Sequence, residues 1–262
     1  MTSDTIADTI YVNGTVLTMS GPGARAEAVA AKDGRILAVG TRAEIEALAG
    51  TATKRIDLAG RTMLPGLIDP HSHFPDSGDI ALFQADLNAP PIGDVVSIAQ
   101  MQEKLRARAA ATPAGEWVVG YGYDDTIMAE GRHPTAAELD AVSREHPIWC
   151  FHLSGHLGVA NSLALSLAGL TRETPQPQGG HIQKDASTGA LTGRLDEQAA
   201  MDFVADLIPA RTFAQFEAIL ARAGADYAAC GITCAQNAWC SQTLLDRLTR
   251  AAERGSLPIR LI

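Results

Sequence analysis

Leu64-Pro65-Gly66-Leu67-Ile68-Asp69-Pro70-His71-Ser72-His73 is the stretch on which the reading of the fold turns. Leu67-Ile68 is a short apolar run, consistent with a buried strand that ends in a polar cluster. Side chains alternate faces along a strand, so the imidazoles of His71 and His73 point the same way. Zinc and similar cations accept imidazole nitrogen, and two ligands on one rigid strand reduce the ordering cost of a metal site. A bare His-x-His is common. Its setting here, an apolar strand entered through Pro65-Gly66, makes it specific.

Upstream of this stretch the chain reads as short strands and turns. Ile10-Tyr11-Val12 runs into Asn13-Gly14, a two-residue hairpin signal, and Thr15-Val16-Leu17-Thr18 follows. Ala26 to Ala31 leads to Asp33-Gly34 and a further strand, Arg35 to Gly40. Thr41 and Glu44 have capping-box spacing for a short helix ending at Gly50. Residues 1–65 are expected to form a β-rich unit with little capacity for a core of its own.

Downstream, residues 66–75 hold the strand with the histidines, and residues 76–210 alternate helix-like and strand-like pieces. Val95 to Ala111 predicts a helix, while Trp117 to Tyr121 and Ile148 to Phe151 predict buried strands. Thr135 with Glu138 makes a second capping box, Asn161 caps Ser162 to Ala168, and Gly169 stops that helix. Gly179 to Leu195 reads as a hairpin, and Glu197 to Ile208 as a helix closed by Pro209. In residues 211–262, Thr212 and Gln215 cap a long helix to Ala229, followed by a strand at 231–235. A helix from Ser241 to Arg254 and an apolar strand from Leu257 complete the series. Helix–strand–helix–strand alternation is the signature of a parallel α/β sheet or barrel.

The composition of the 262 residues narrows the function. At 46% hydrophobic and 19% charged, the chain can bury a core. Its formal charge of −9 argues against a nucleic-acid partner or an anionic membrane surface. No stretch approaches the ~18 apolar residues of a membrane span. Met1 to Asp4 has neither the basic nor the apolar run of a signal peptide, so the expected compartment is the cytoplasm. Cys150, Cys230, Cys234 and Cys240 lack C-x-x-C spacing and are read as reduced core cysteines.

The segment from Leu64 to His73 resembles the first-strand motif of the metal-dependent amidohydrolase superfamily. Asn13 to Thr18 and Asp33 to Gly40 look like that superfamily's N-terminal β-unit. Further blocks resemble one branch, that of N-substituted formamide deformylase and its relatives. They are Gly120-Tyr121-Gly122-Tyr123-Asp124-Asp125, His133-Pro134-Thr135, Leu139 to Ser143, Gly155-His156, Asn161-Ser162, Thr174 to Gly180 and Thr192 to Glu197. They occur in family order over nearly the whole chain.

The resemblance implies the N-terminal part of a (β/α)₈ barrel, about strands 1–3, with the small β-unit before it and residues 76–210 as an α/β insertion over its mouth. His71 and His73 would be metal ligands on strand 1, and Glu197 a carboxylate ligand. Glu197 also opens a helix, where a carboxylate favours the N-terminal dipole. The divalent metal expected is zinc, activating water for attack on an amide-type carbon–nitrogen bond of a small-molecule substrate. His156, Asp124 and Tyr121 are the expected substrate-binding residues. His156 follows Ser154-Gly155 where relatives have Asp-Gly-His. Tyr121, Tyr123 and Trp149 hint at a partly apolar substrate, and His133, His146, His152 and His181 are read as structural or exposed.

A (β/α)₈ barrel takes about 250 residues by itself, more than remain here after the β-unit and the insertion. The resemblance therefore implies an N-terminal half with no catalytic residue beyond the metal ligands. Its partner is expected to be the missing C-terminal half, in the same or a second chain, or another copy through self-association. The alternative is a non-catalytic or split-enzyme product whose α/β segment serves as a binding module.

Overall fold

The computed structural model describes residues 5–262, so the reading of Met1 to Asp4 lies outside the described residues. The first strands, β1 (Ala7–Val12) and β2 (Thr15–Leu17), flank Asn13-Gly14 but belong to different sheets. A two-residue type I′ turn needs positive φ at both central residues. Asn13 has it, at +61°, and Gly14 does not. Gly14 instead permits a close approach, because a Cβ there would lie 2.4 Å from the Arg61 carbonyl oxygen. Asn13 Nδ2 donates to Asp57 Oδ1 at 2.8 Å, and the Gly60 N–H donates to the Asn13 carbonyl at 2.8 Å. The hairpin expected here is thus replaced by a passage between two sheets.

The turn at Asp33-Gly34 does form. β3 (Arg25–Ala26) and β4 (Ala28–Lys32) lead to it and β5 (Arg35–Gly40) leaves it, with φ of +48° and +71° at the two turn residues. Thr41 then caps α1 (Arg42–Glu46) in a complete reciprocal box with Glu44. Gly50, expected to stop that helix, already lies in β6 (Ala49–Asp57), and β7 (Thr62–Met63) follows. One sheet has the order β5-β4-β1-β6 and the other β3-β2-β7. Ile10, Val12, Ala28, Ala30 and Ile45 form a small core.

Strand β8 (Leu67–Ser72) carries the histidine motif. Backbone contacts divide the chain into two units within this strand: residues up to Asp69 with Gly231–Cys234, and Pro70–Cys230 with Ala235–Ile262. The larger unit opens with α2 (Asp76–Phe83), β9 (Ala85–Asp86), α3 (Ile98–Ala110), β10 (Val118–Tyr123) and α4 (Ala136–Asp140). It continues through β11 (Ile148–His152), β12 (Leu157–Ala160), α5 (Ser162–Leu167), β13 (His181–Lys184), β14 (Leu191–Asp196) and α6 (Gln198–Ala205). These strands make one mixed sheet, β13-β14-β12-β11-β10-β9, in which β9, β10 and β11 are parallel.

The sheet is buried on both faces, and the two-residue period of β11 shows it. Ile148 and Cys150 enter one cluster with Met101 and Leu105 of α3. Trp149 and Phe151 enter the other, with Ala164 of α5 and Met201 and Val204 of α6. A run with no polar alternation is what such a strand requires, and it made β11 legible as buried.

The remaining elements are α7 (Phe213–Ala229), β15 (Ile232–Asn237), α8 (Gln242–Glu253) and β16 (Arg260–Leu261). Thr212 and Gln215 complete the expected capping box of α7, and Ser241 caps α8. Phe74, Phe216, Leu220, Ala223, Leu248 and Ala251 pack as one cluster. The order of the third sheet is β16-β15-β8. Among the described residues, no helix is long and apolar enough to cross a membrane.

Candidate functional site

Ser72 is buried, while His71 and His73 on either side of it are exposed, as strand alternation demands. The buried face is held firmly. Ser72 Oγ and the Tyr227 hydroxyl of α7 share a short hydrogen bond, and the Phe74 ring meets Tyr227 edge-on at 5.4 Å. Ala238 N–H donates to the Ser72 carbonyl at 2.8 Å, and Asn237 Nδ2 to the Phe74 carbonyl at 2.9 Å. The two imidazoles thus leave a pinned strand end. Their centroids lie 5.6 Å apart, with ring planes at 68°. With zinc–nitrogen bonds of about 2 Å, two imidazoles sharing one tetrahedral ion have centroids about 5 Å apart. The pair fits a shared cation.

A cavity of about 370 Å³ lies in the same unit, lined by Asp76, Ile80, Tyr121, Phe151, Met201 and Trp239, among others. Asp76 opens α2, three residues after His73. Burial, with Asp76 adding, pushes the Tyr121 phenol up, so it keeps its proton and can donate. Gly155 and Gln198 also line the cavity, and next to them stand His156 and Glu197. His156 Nδ1 is 3.1 Å from Glu197 Oε2, and both side chains are exposed.

Glu197 does open α6, but its side chain makes no capping hydrogen bond. It has φ of +63°, and its N–H donates to the His156 carbonyl at 2.6 Å. The structure brings Glu197 to His156. It does not gather Glu197, His71 and His73: among the described residues, the one group of three or more His, Cys, Asp or Glu ligand atoms lying within 4.8 Å of one another is Asp124, Asp125 and His152.

Asp124 lies in that group, where its Oδ1 accepts from the Thr126 N–H at 2.9 Å and the Thr126 hydroxyl at 2.7 Å. Those bonds hold its carboxyl below the usual range. Of the three aromatics read as lining the mouth, only Tyr121 does so. Tyr123 and Trp149 are fully buried in the two cores because consecutive buried strands leave them no exposed face.

The four histidines read as structural or exposed fall in different settings. His146 is buried, with Nδ1 2.9 Å from the Glu116 carbonyl, and His181 is exposed, 3.6 Å from Asp196. His133 and His152 both face Asp125, at 3.6 and 3.0 Å. The meeting of Asp125 with His152 depends on the parallel pairing of β10 with β11, which sets Tyr123 opposite His152 and is not written in either segment. The cysteines differ too. Cys150 is buried, but Cys230 and Cys240 are exposed, one at the end of α7 and one just before α8.

Residues 54–262 match the sequence profile of the amidohydrolase family, and the chain belongs to that family of enzymes. N-substituted formamide deformylase of Arthrobacter pascens is 35% identical over 196 residues, covering 74% of this chain and 35% of that protein. The Arabidopsis thaliana protein LONG AFTER FAR-RED 3 is 33% identical over 199 residues, 76% of this chain and 33% of its own length. An uncharacterized metal-dependent hydrolase from Pyrococcus horikoshii OT3 superposes with a TM-score of 0.71 at 21% identity, over 97% of this chain and 47% of that one. The chain shares that fold. It spans about a third of the length of these curated relatives.

Proposed function

We propose that the chain supplies the metal-binding first part of a hydrolase that cleaves a non-peptide, amide-type carbon–nitrogen bond in a small molecule. The observation that carries this is the His71–His73 pair: one at the end of β8 and one just past it, both exposed, with ring centroids 5.6 Å apart. Imidazole and carboxylate donors suit zinc, and we assign His71, His73 and Glu197 as its protein ligands. Glu197, exposed and not capping α6, meets His156 in this structure and would join the two histidines only on ion binding. When bound, the ion supplies Lewis acidity and a water acidic enough to ionise near neutral pH.

The chain's own residues do the rest of what it contributes. Glu197 orients His156 through Nδ1, which leaves Nε2 to take or give a proton. Tyr121 holds its phenolic proton for a substrate oxygen. Phe151, Ile80, Met201 and Trp239 give the cavity apolar walls that exclude water and suit an apolar N-substituent. The name of the Arthrobacter relative supports an N-substituted formamide or a related amide.

The sheet order β8-β15-β16, with α7 and α8 preceding its second and third members, supports their being the first three strands of a (β/α)₈ barrel. Leu67, Ile68 and Ile262 are 49%, 64% and 73% exposed. Exposed apolar side chains at such strands suit cover by further barrel strands, from this or a second chain.

The test is metal content and amide hydrolysis of the complete polypeptide with His71→Ala and His73→Ala together. One equivalent of zinc and the activity are expected to be lost. Unchanged metal content and activity would overturn the assignment. A stable chain that takes up no zinc at these histidines would favour the binding-module reading.

A further inference from the structure

Beyond the histidine pair on β8, the carboxyl ends of two parallel strands gather a second set of metal-type donors. Ligand sites in open α/β sheets form at such strand ends. Asp125, just past β10, lies between two imidazoles: Oδ1 is 3.0 Å from His152 Nε2, and Oδ2 is 3.6 Å from His133 Nε2. Asp124, Asp125 and His152 each bring a ligand atom within 4.8 Å of the other two. The His133 and His152 rings meet edge-on with centroids 5.7 Å apart.

Histidines that ligate metals usually fix their second ring nitrogen with a hydrogen bond. Both histidines do so here. His133 Nδ1 is 3.2 Å from the hydroxyl of the buried Tyr123, and His152 Nδ1 is 2.8 Å from Ser154 Oγ. The donors come from separate segments, and Asp125, His133 and His152 are all largely withdrawn from solvent, with side-chain exposures of 25%, 18% and 13%.

We propose that Asp124, Asp125 and His152 form a second divalent-cation site of one imidazole and two carboxylates, separate from His71 and His73, with His133 beside it on the other oxygen of Asp125. Three protein donors leave a fourth position for water. Two carboxylates balance the charge of the ion. Burial first and Arg194 second hold the His133 imidazole below its usual range. The Arg194 charge is itself met by Asp196, Nε to Oδ1 at 2.6 Å.

The Ser154 N–H donates to His152 Nδ1 at 3.1 Å, so the ring proton sits on Nε2 facing Asp125. An ion held at Nε2 would require that proton on Nδ1 instead, where Ser154 Oγ can accept it. The Ser154 N–H contact is given up and no net proton leaves the ring. The ion would then brace the 152–156 turn that leads to His156.

The experiment is a Co²⁺ titration of the full chain carrying His71→Ala and His73→Ala, followed by visible absorption and metal analysis. One equivalent is expected, with the intense d–d band of four-coordinate cobalt. Adding His152→Ala or Asp125→Asn should abolish the band, and Ser154→Ala should weaken binding about tenfold. Asp124→Asn, a milder change, should also weaken it, and near-UV circular dichroism checks that each variant is folded. No cobalt uptake in the histidine-pair background, or uptake unchanged in folded His152→Ala and Asp124→Asn variants, would overturn the proposal. Either result would leave the His71–His73 assignment standing, because that assignment is read from the metal lost with the histidine pair.

Discussion

At the scale of the residue, Glu197 is the position where conformation and chemistry pull apart. An L-residue at φ of +63° carries a left-handed backbone that costs about 1–2 kcal/mol. Glu197→Gly should therefore be neutral or stabilising by up to about 1 kcal/mol, while Glu197→Val should destabilise by about 1–2 kcal/mol. Urea unfolding midpoints check both. If the carboxylate is a ligand, the glycine variant should also lose zinc despite its stability. Gly158 shows the opposite constraint. A Cβ there would lie 2.2 Å from Trp149 Cζ2, so Gly158→Ala should cost about 1–3 kcal/mol by overpacking, read as a lower Tm.

At the scale of the element, α4 ties a cap to a titration. Glu138 accepts a two-point bond from Arg132 and closes the capping box with Thr135. Arg132 first, and the Thr135 bonds after it, lower its pKa to about 2. A depressed carboxylate contributes stability that is present above its unfolded pKa of about 4.3 and lost as pH falls through the folded value. Between pH 5 and about pH 2 the wild type should therefore lose more Tm than Glu138→Gln does. Equal slopes would remove Glu138 as a contributor. For α7, Thr212→Ala should cost about 1 kcal/mol by loss of its cap, measured by urea unfolding.

At the scale of the whole molecule, the two cation sites predict linked stability. An ion that binds only the folded chain adds about 2.7 kcal/mol at a hundredfold excess over its Kd. Zinc should raise the Tm of the wild type and a chelator should reverse the rise. The His71→Ala, His73→Ala variant should show a smaller rise, and removal of His152 as well should abolish it. A wild-type Tm indifferent to zinc and chelator would count against both sites.

Much of this was legible in the order of residues, wherever the physics is local. The capping boxes at Thr41, Thr135 and Thr212 formed as their spacing implied, because a side chain and an N–H three residues apart meet by helix geometry alone. The Asp33-Gly34 turn formed because both residues tolerate positive φ, and the exposed–buried–exposed order of His71, Ser72 and His73 followed from the pleat, whereas Leu67-Ile68, read as buried, is exposed. Asn13-Gly14 carries the same local signal, yet only tertiary structure decided its outcome. There the contacts with Asp57, Leu58 and Arg61 outweighed the turn preference. The polar clusters were decided in the same way. His156 meets Glu197 across 41 residues, and Asp125 meets His152 across 27. No periodicity or cap reaches that far. Which strands pair, and in what register, depends on burying both faces of one sheet at once, and that condition belongs to the folded chain.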